Sequence, residues 1–98
     1  MKFLAIEKEI TGVNGKQYQP YLKDEALKVW KLQQAGFIRE IYFANEGHNA
    51  VIILECSDID EANSVLNSLP LVREKLIEFE IKQLVPYDGF ERLFDKVK

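Results

Sequence analysis

Three carboxylates, Glu7, Glu78 and Glu80, are the residues of this 98-residue chain whose type and spacing offer chemistry. Glu7 falls on an alternating apolar segment, Met1 to Ile10, on the side that carries Phe3 and Ala5. Glu78 and Glu80 alternate along a second segment, Leu76 to Val85, on the side of Leu76 and Leu84. Carboxylates confined in an apolar space disfavour one another's ionisation, so at least one holds its proton to higher pH. A carboxylate poised in that way can abstract a proton next to a carbonyl. Isomerisation by this route also needs a donor to return the proton and a group to hold the enolate. Tyr42 and His48 are the candidate donors, and Arg39 and Lys82 the candidate oxyanion partners. Glu7, Glu80, His48 and Tyr42 thus form the candidate catalytic set, with Arg39, Trp30, Glu78 and Lys82 as the candidate ligand-binding set.

Each of these has a plainer reading. Glu78, Glu80 and Lys82 also suit a solvated strand or a ladder of ion pairs between two subunits. Arg39 suits an ion pair with such acids. His48 is the single histidine and falls near a hairpin tip, where a ring is ordinarily solvated. It cannot make a metal site alone, because ligands must converge. Trp30 sits on an apolar helix stripe and suits the core, while Tyr42 suits an interface as well as a pocket wall. Tyr18, Tyr21, Gly12 and Gly15 fit either a lid or an ordinary surface loop. Cys56 is the lone cysteine, at the end of a buried strand, so it forms no internal disulfide and reads as an inert small hydrophobe.

The elements that must position these residues are read from periodicity and punctuation. Met1–Ile10 reads as a strand with Leu4, Ile6 and Ile10 on one side, succeeded by a glycine-punctuated loop from Thr11 to Pro20. Tyr21–Ala35 reads as a helix, with Leu22, Ala26, Val29, Trp30 and Gln33 as its stripe, acids in its first turn and Gly36 after its end. Phe37–Ala44 and Asn49–Cys56 read as a hairpin across Asn45-Glu46-Gly47. Ile38 and Tyr42 are expected on one side of the first of these strands, with Phe37, Ile41 and Phe43 on the other. Ser57 or Asp58 caps a second helix, Ile59–Leu69, which Pro70 ends. Leu76–Val85 is the fourth strand, and Phe90, Leu93, Phe94 and Val97 sketch a short terminal helix.

The order β-α-β-β-α-β predicts an α+β, ferredoxin-like fold, a single domain over 1–98: a four-stranded antiparallel sheet with both helices on one face. The other face is then apolar and uncovered. Each fully exposed large apolar side chain forgoes roughly 1.5–3 kcal/mol, so several together rival the stability of a small domain. A second copy of the chain is the expected cover. A net charge of −3, a pI near 5.2 and the lack of a basic cluster argue against nucleic acid and anionic membrane surfaces. The longest apolar run, Ala50 to Leu54, is too short to span a bilayer. No signal-peptide pattern opens the sequence, and the lone cysteine suits a reducing cytoplasm.

The stretch from Glu40 to Leu84 resembles the muconolactone isomerase-like family of dimeric α/β barrels. The resemblance rests on Asp60-Glu61, Val65-Leu66, Ser68-Leu69-Pro70-Leu71 and Glu78-Phe79-Glu80-Ile81, and on the opening Met1-Lys2-Phe3-Leu4. It implies that two sheets meet face to face in a homodimeric barrel, that rings of dimers form, and that no cofactor is used. It also implies isomerisation of a small unsaturated lactone or aromatic-derived acid. With Leu4 and Ile6 under the helices, Glu7, Glu78 and Glu80 would line the barrel. The chain departs from the family pattern in the Thr11–Gln19 loop, at Glu46-Gly47-His48 and at Val85-Pro86-Tyr87, so no catalytic residue carries over. Two other readings remain. The strand order is shared by non-catalytic small-molecule-binding regulatory modules, with a site near the first loop, where Gly12 and Gly15 fit. Cofactor-free oxygenases and haem-handling proteins share the barrel, although His48 alone is a poor basis for haem.

Overall fold

The structure is a computed structural model and describes residues 1–94. The strands are β1 (Lys2–Glu9), β2 (Ile38–Phe43), β3 (Ala50–Glu55) and β4 (Ile77–Leu84), all antiparallel, in the order β2-β3-β1-β4. The helices are α1 (Gly15–Tyr18), α2 (Leu22–Gln34), α3 (Ile59–Asn67) and α4 (Pro70–Arg73). The α+β, ferredoxin-like expectation holds, with α2 and α3 on one face of the sheet.

The core lies between sheet and helices. Phe3, Ala5, Ile38, Ile52 and Leu54 from the strands meet Leu32, Ala62, Val65, Leu66 and Leu69 from the helices and the α3–α4 junction. The helices form where local chemistry starts and stops them. Asp58 caps α3 by accepting from the Glu61 amide at 2.8 Å, and Glu61 accepts in turn from the Ser57 amide at 2.8 Å. Gly36, at φ 90°, closes α2, with the Phe37 amide donating to the Leu32 carbonyl at 3.0 Å and the Gly36 amide to Gln33 at 3.1 Å.

Four expectations are corrected. On β1, Phe3 and Ala5 are fully buried beneath the helices, and Leu4 and Ile6 face the uncovered side. The large ring of Phe3 and the small Ala5 fill the space under the helices, and Glu7 goes with them because alternation has period two. On β2, Ile38 pairs with Leu54 but Glu40 pairs with Ile53, so one extra residue bulges at Arg39. The bulge shifts the alternation by one, placing Ile38 with Ile41 on the helix side and Glu40 with Tyr42 on the open side. On α2, the inward stripe is Glu25, Val29 and Leu32, rotated from the expected one. Leu22 (42% exposed), Leu27 (50%) and Trp30 (59%) therefore lie outside, and Trp30 is not in the core. Finally, α3 ends at Asn67, and Pro70 opens α4, where its fixed φ and missing N–H suit a first helical position.

The first loop folds into α1 and a 3-10 turn, Gln19–Tyr21. Asn14 caps α1 by accepting from Lys16 at 3.0 Å, and Tyr18 and Tyr21 join a satellite core around Leu71, Leu76 and Ile77. After β4, a 3-10 turn spans Gly89–Leu93 in place of the expected helix, and Val97 lies outside the described residues. Among the described residues no helix is long and apolar enough to cross a membrane.

Candidate active site

The expected carboxylate trio is split between two faces. Glu78, Glu80 and Lys82 stand on the open side of β4, but Glu7 points beneath the helices. The open face is a grid. One row runs Tyr42–Val51–Ile6–Glu80 across the four strands, and the next runs Glu40–Ile53–Leu4–Lys82. The middle is aliphatic and both edges are polar. On one edge the Tyr42 hydroxyl donates to Glu40 Oε1 at 2.7 Å, and this bond, then the Glu40 charge, raises the phenol above its ordinary value. On the other, Glu80 stands between Lys8 at 3.8 Å and Lys82 at 3.9 Å. Strands lie ~4.8 Å apart, so the two edges are separated by roughly 14 Å of backbone. All of these charged groups are well exposed in the protomer, and such pairs contribute little stability.

Arg39 and His48 do not join that grid. The Arg39 Nε donates to the Gly36 carbonyl at 2.9 Å, tying the bulge to the end of α2. His48, in the left-handed region at φ 56°, stacks on Phe43 with ring centroids 4.0 Å apart. Phe43 pairs with Ala50 on the helix side, opposite Tyr42, so the two expected donors are kept apart. Trp30 is exposed on the outer side of α2.

A second constellation forms where Glu7 turns inward. Glu7 Oε1 accepts the Ala50 amide at 2.8 Å, and the Asn49 side chain donates to the Glu7 carbonyl at 3.3 Å. The half-buried Glu25, on the inward stripe of α2, accepts the Leu71 amide at 2.9 Å through Oε1. That bond caps α4, whose own preceding residue, Leu69, has no side-chain oxygen to do so. Burial raises the Glu25 carboxyl above its ordinary value; the Leu71 bond and Arg73 oppose this, and the Glu7 charge adds to it. Tyr18 lies in the same field: burial, then Glu7 and Glu9, push its phenol up. Glu25 and Tyr18, both half-buried, thus each feel the charge of Glu7. Each carboxylate has one oxygen held by a backbone amide. Strongly placed groups of perturbed acidity mark functional sites more often than surface pairs do.

Neither Glu25 nor Tyr18 is among the residues that the sequence singled out as catalytic. Glu25 reads as an ordinary first-turn acid, and only the rotation of the α2 stripe reveals it. Cys56 is buried, and burial is the largest cause raising its thiol, so it is a poor nucleophile. Among the described residues no three His, Cys, Asp or Glu side chains converge as a metal site would need.

The Glu25 shift makes a prediction about stability. Because its folded value is raised, the charged form is the disfavoured one, so its stabilising effect is complete at low pH and is lost as pH rises through the folded value. Glu25→Gln keeps an acceptor for the Leu71 amide but cannot ionise. Its stability relative to the native chain is expected to rise as pH increases from below the ordinary glutamate value to neutrality. Urea titrations of both proteins across that range check it, and a parallel pair of curves refutes it.

The fold has relatives of known structure. A muconolactone isomerase superposes with a TM-score of 0.74 at 16% identity, over 91% of this chain and 93% of that one. The chain has the fold of muconolactone isomerase. A second match is 5-chloro-2-hydroxyhydroquinone dehydrochlorinase from Burkholderia phenoliruptrix AC1100, in complex with 2,5-dihydroxybenzoquinone. Its TM-score is 0.64 at 18% identity, over 91% of this chain and 98% of that one. No family model matches the chain, and no curated protein matches it. At these identities the likeness fixes the arrangement of elements and leaves the chemistry to the side chains.

Proposed function

We propose that this chain is a cofactor-independent proton-transfer isomerase acting on a small unsaturated lactone or aromatic-derived acid. Glu25 carries the reading: its carboxyl is raised by burial, anchored through one oxygen and placed in the field of Glu7. Its other oxygen is the proposed base. It takes a proton from the carbon beside the substrate carbonyl, and the electron pair left behind conjugates onto the carbonyl oxygen. Tyr18, whose phenol keeps its proton at neutral pH, donates a hydrogen bond to that oxygen. Glu25 then returns the proton at the far end of the conjugated system, so the double bond moves and no electrons are lost or gained. A base of raised acidity value is suited to this because proton transfer is fastest when donor and acceptor are closely matched.

The open sheet face has a separate role in this reading. Its aliphatic middle, Leu4, Ile6, Val51 and Ile53, is covered by the same face of a second copy, and its polar edges pair across the join. The lactone and quinone chemistry in the names of the two structural relatives sets the probes. Muconolactone and 2,5-dihydroxybenzoquinone are to be incubated with the protein in deuterated buffer and monitored by proton NMR. Protein-dependent loss of the proton beside the carbonyl, with a raised melting temperature at saturating compound, supports the reading. If a panel of lactones and hydroxylated aromatic acids gives neither exchange nor a thermal shift, the proposal fails.

A further inference from the structure

The helix side of the sheet ends in an uncovered aromatic pair. Along β2, exposure on that side climbs from 1% at Ile38, through the half-buried Ile41, to 61% at Phe43. The helices stop short of Phe43. His48 covers one face of its ring, with the two planes 20° apart, and much of the ring stays open. The backbone is strained to hold the pair. His48 takes φ 56°, a left-handed conformation that is uncommon for a residue with a Cβ and that glycine would adopt freely. Such outliers persist where the surrounding structure over-determines them, and they gather at ligand sites.

The surroundings fasten this turn to the Glu7 end of β1. Register and the Ala50–Glu7 bond align Phe43, Ala50, Glu7 and Phe79 in one row across the helix side. Two strand spacings, roughly 10 Å at ~4.8 Å each, separate Phe43 from Glu7, with only the small Ala50 between them. The Ala44 amide donates to the Asn49 carbonyl at 2.8 Å, and the Asn49 side chain reaches the Glu7 carbonyl. Gly47 leaves room for that side chain, since a Cβ there would lie 2.7 Å from Asn49 Oδ1. Beyond Glu7, Tyr18 and Phe79 both pack on the satellite core.

We propose that Phe43, held in place by His48, is the ring-binding wall of the site at the Glu7 end, and that it takes a planar conjugated ring carrying hydroxyl groups. The inference deepens the proposed function and rests on it for the location of the reacting groups. Phe43 offers an aromatic face, which favours a flat π system over a puckered ring of equal size. Glu7 has one oxygen held by the Ala50 amide, and its other oxygen accepts from a hydroxyl at the rim of the ligand. His48 acts through Phe43 and is a positioning residue.

Proton NMR of the whole protein tests this with phenol and cyclohexanol, rings of equal size and equal hydroxyl count that carry no charge. Phenol is expected to bind about two- to tenfold more tightly, the worth of one ring-on-ring contact, and to give nuclear Overhauser contacts to the Phe43 ring protons. Phe43→Leu keeps an apolar side chain and is expected to remove the preference while leaving the weaker affinity for cyclohexanol. His48→Gly relieves the left-handed φ, so its melting temperature is expected to hold or rise while the preference falls. A role confined to shaping the turn would move the melting temperature and not the preference. The inference is overturned if phenol does not bind, if the two rings bind equally, or if either variant keeps the native preference. Overhauser contacts to Tyr42 or Ile53, on the opposite face, overturn it equally. Deuterium exchange of a lactone without the Phe43 contact overturns it and leaves the isomerase reading standing; the contact without exchange does the reverse.

Discussion

Glu25→Gln is expected to lower turnover of any accepted substrate by about 10²–10⁴-fold, the range that a positioned general base supplies. The substitution keeps an oxygen for the Leu71 amide, so α4 remains capped and the loss is chemical. The expected signature is a fall in kcat with little change in KM, because Glu25 acts on the proton and not on the body of the ligand. The native rate should rise with pH as Glu25 loses its proton, with a midpoint above the ordinary glutamate value because burial raises the group. That limb disappears in the variant. Glu80→Gln, on the opposite face of the sheet, serves as the contrast. If Glu80→Gln abolishes exchange and Glu25→Gln does not, the chemistry belongs to the open face.

The second large effect concerns stability. Phe3→Ala is expected to cost about 3–5 kcal/mol, combining lost transfer energy with an unfilled cavity. Phe3 is fully buried, pairs with Leu54 and Gln83 on its two sides, and lies in the main core. Leu4→Ala, one residue along, removes a side chain from the uncovered face. In a dilute single protomer it should cost far less. Chemical unfolding of the two variants therefore checks which side of β1 is the core. Equal costs at low protein concentration would contradict a core that lies beneath Phe3 and Ala5.

The element order was legible because its signals are local. Gly36 and Asp58 mark helix ends by their own chemistry, and the Val51–Ile53 alternation against Ile52 and Leu54 survives intact. Which side of β1 is buried was not legible, because Leu4 and Ile6 are as apolar as Phe3 and Ala5. Periodicity reports that two sides differ, and here they barely do. The bulge at Arg39 is invisible for a related reason: an extra residue leaves composition unchanged and only shifts the phase of the remaining strand. It joins Glu40 to Tyr42, a pairing that strict alternation from Ile38 would also allow, while sending Ile38 itself to the other side. Helix α2 misled because a stripe through Leu22, Ala26, Val29, Trp30 and Gln33 is as persuasive in the sequence as the one through Glu25, Val29 and Leu32 that turns inward. The carboxylate Glu25 was hidden by that ambiguity. The resemblance to a known family, resting on the Ser68–Leu71 junction and the Glu78–Ile81 strand, anticipated the fold that structural comparison then returned. It could not locate the site, because the chain departs from the family pattern at the loops where a pocket would be built.

The bond between Glu25 and the Leu71 amide spans 46 positions of sequence. A polypeptide emerging from the ribosome completes Glu25 early, yet its carboxyl meets its anchor only once α4 has been synthesised and has docked. The docking that gives the late helix its first-turn acceptor also brings the bond that opposes the rise burial imposes on the acid. A partly made or locally opened protein would therefore carry only an ordinary surface glutamate.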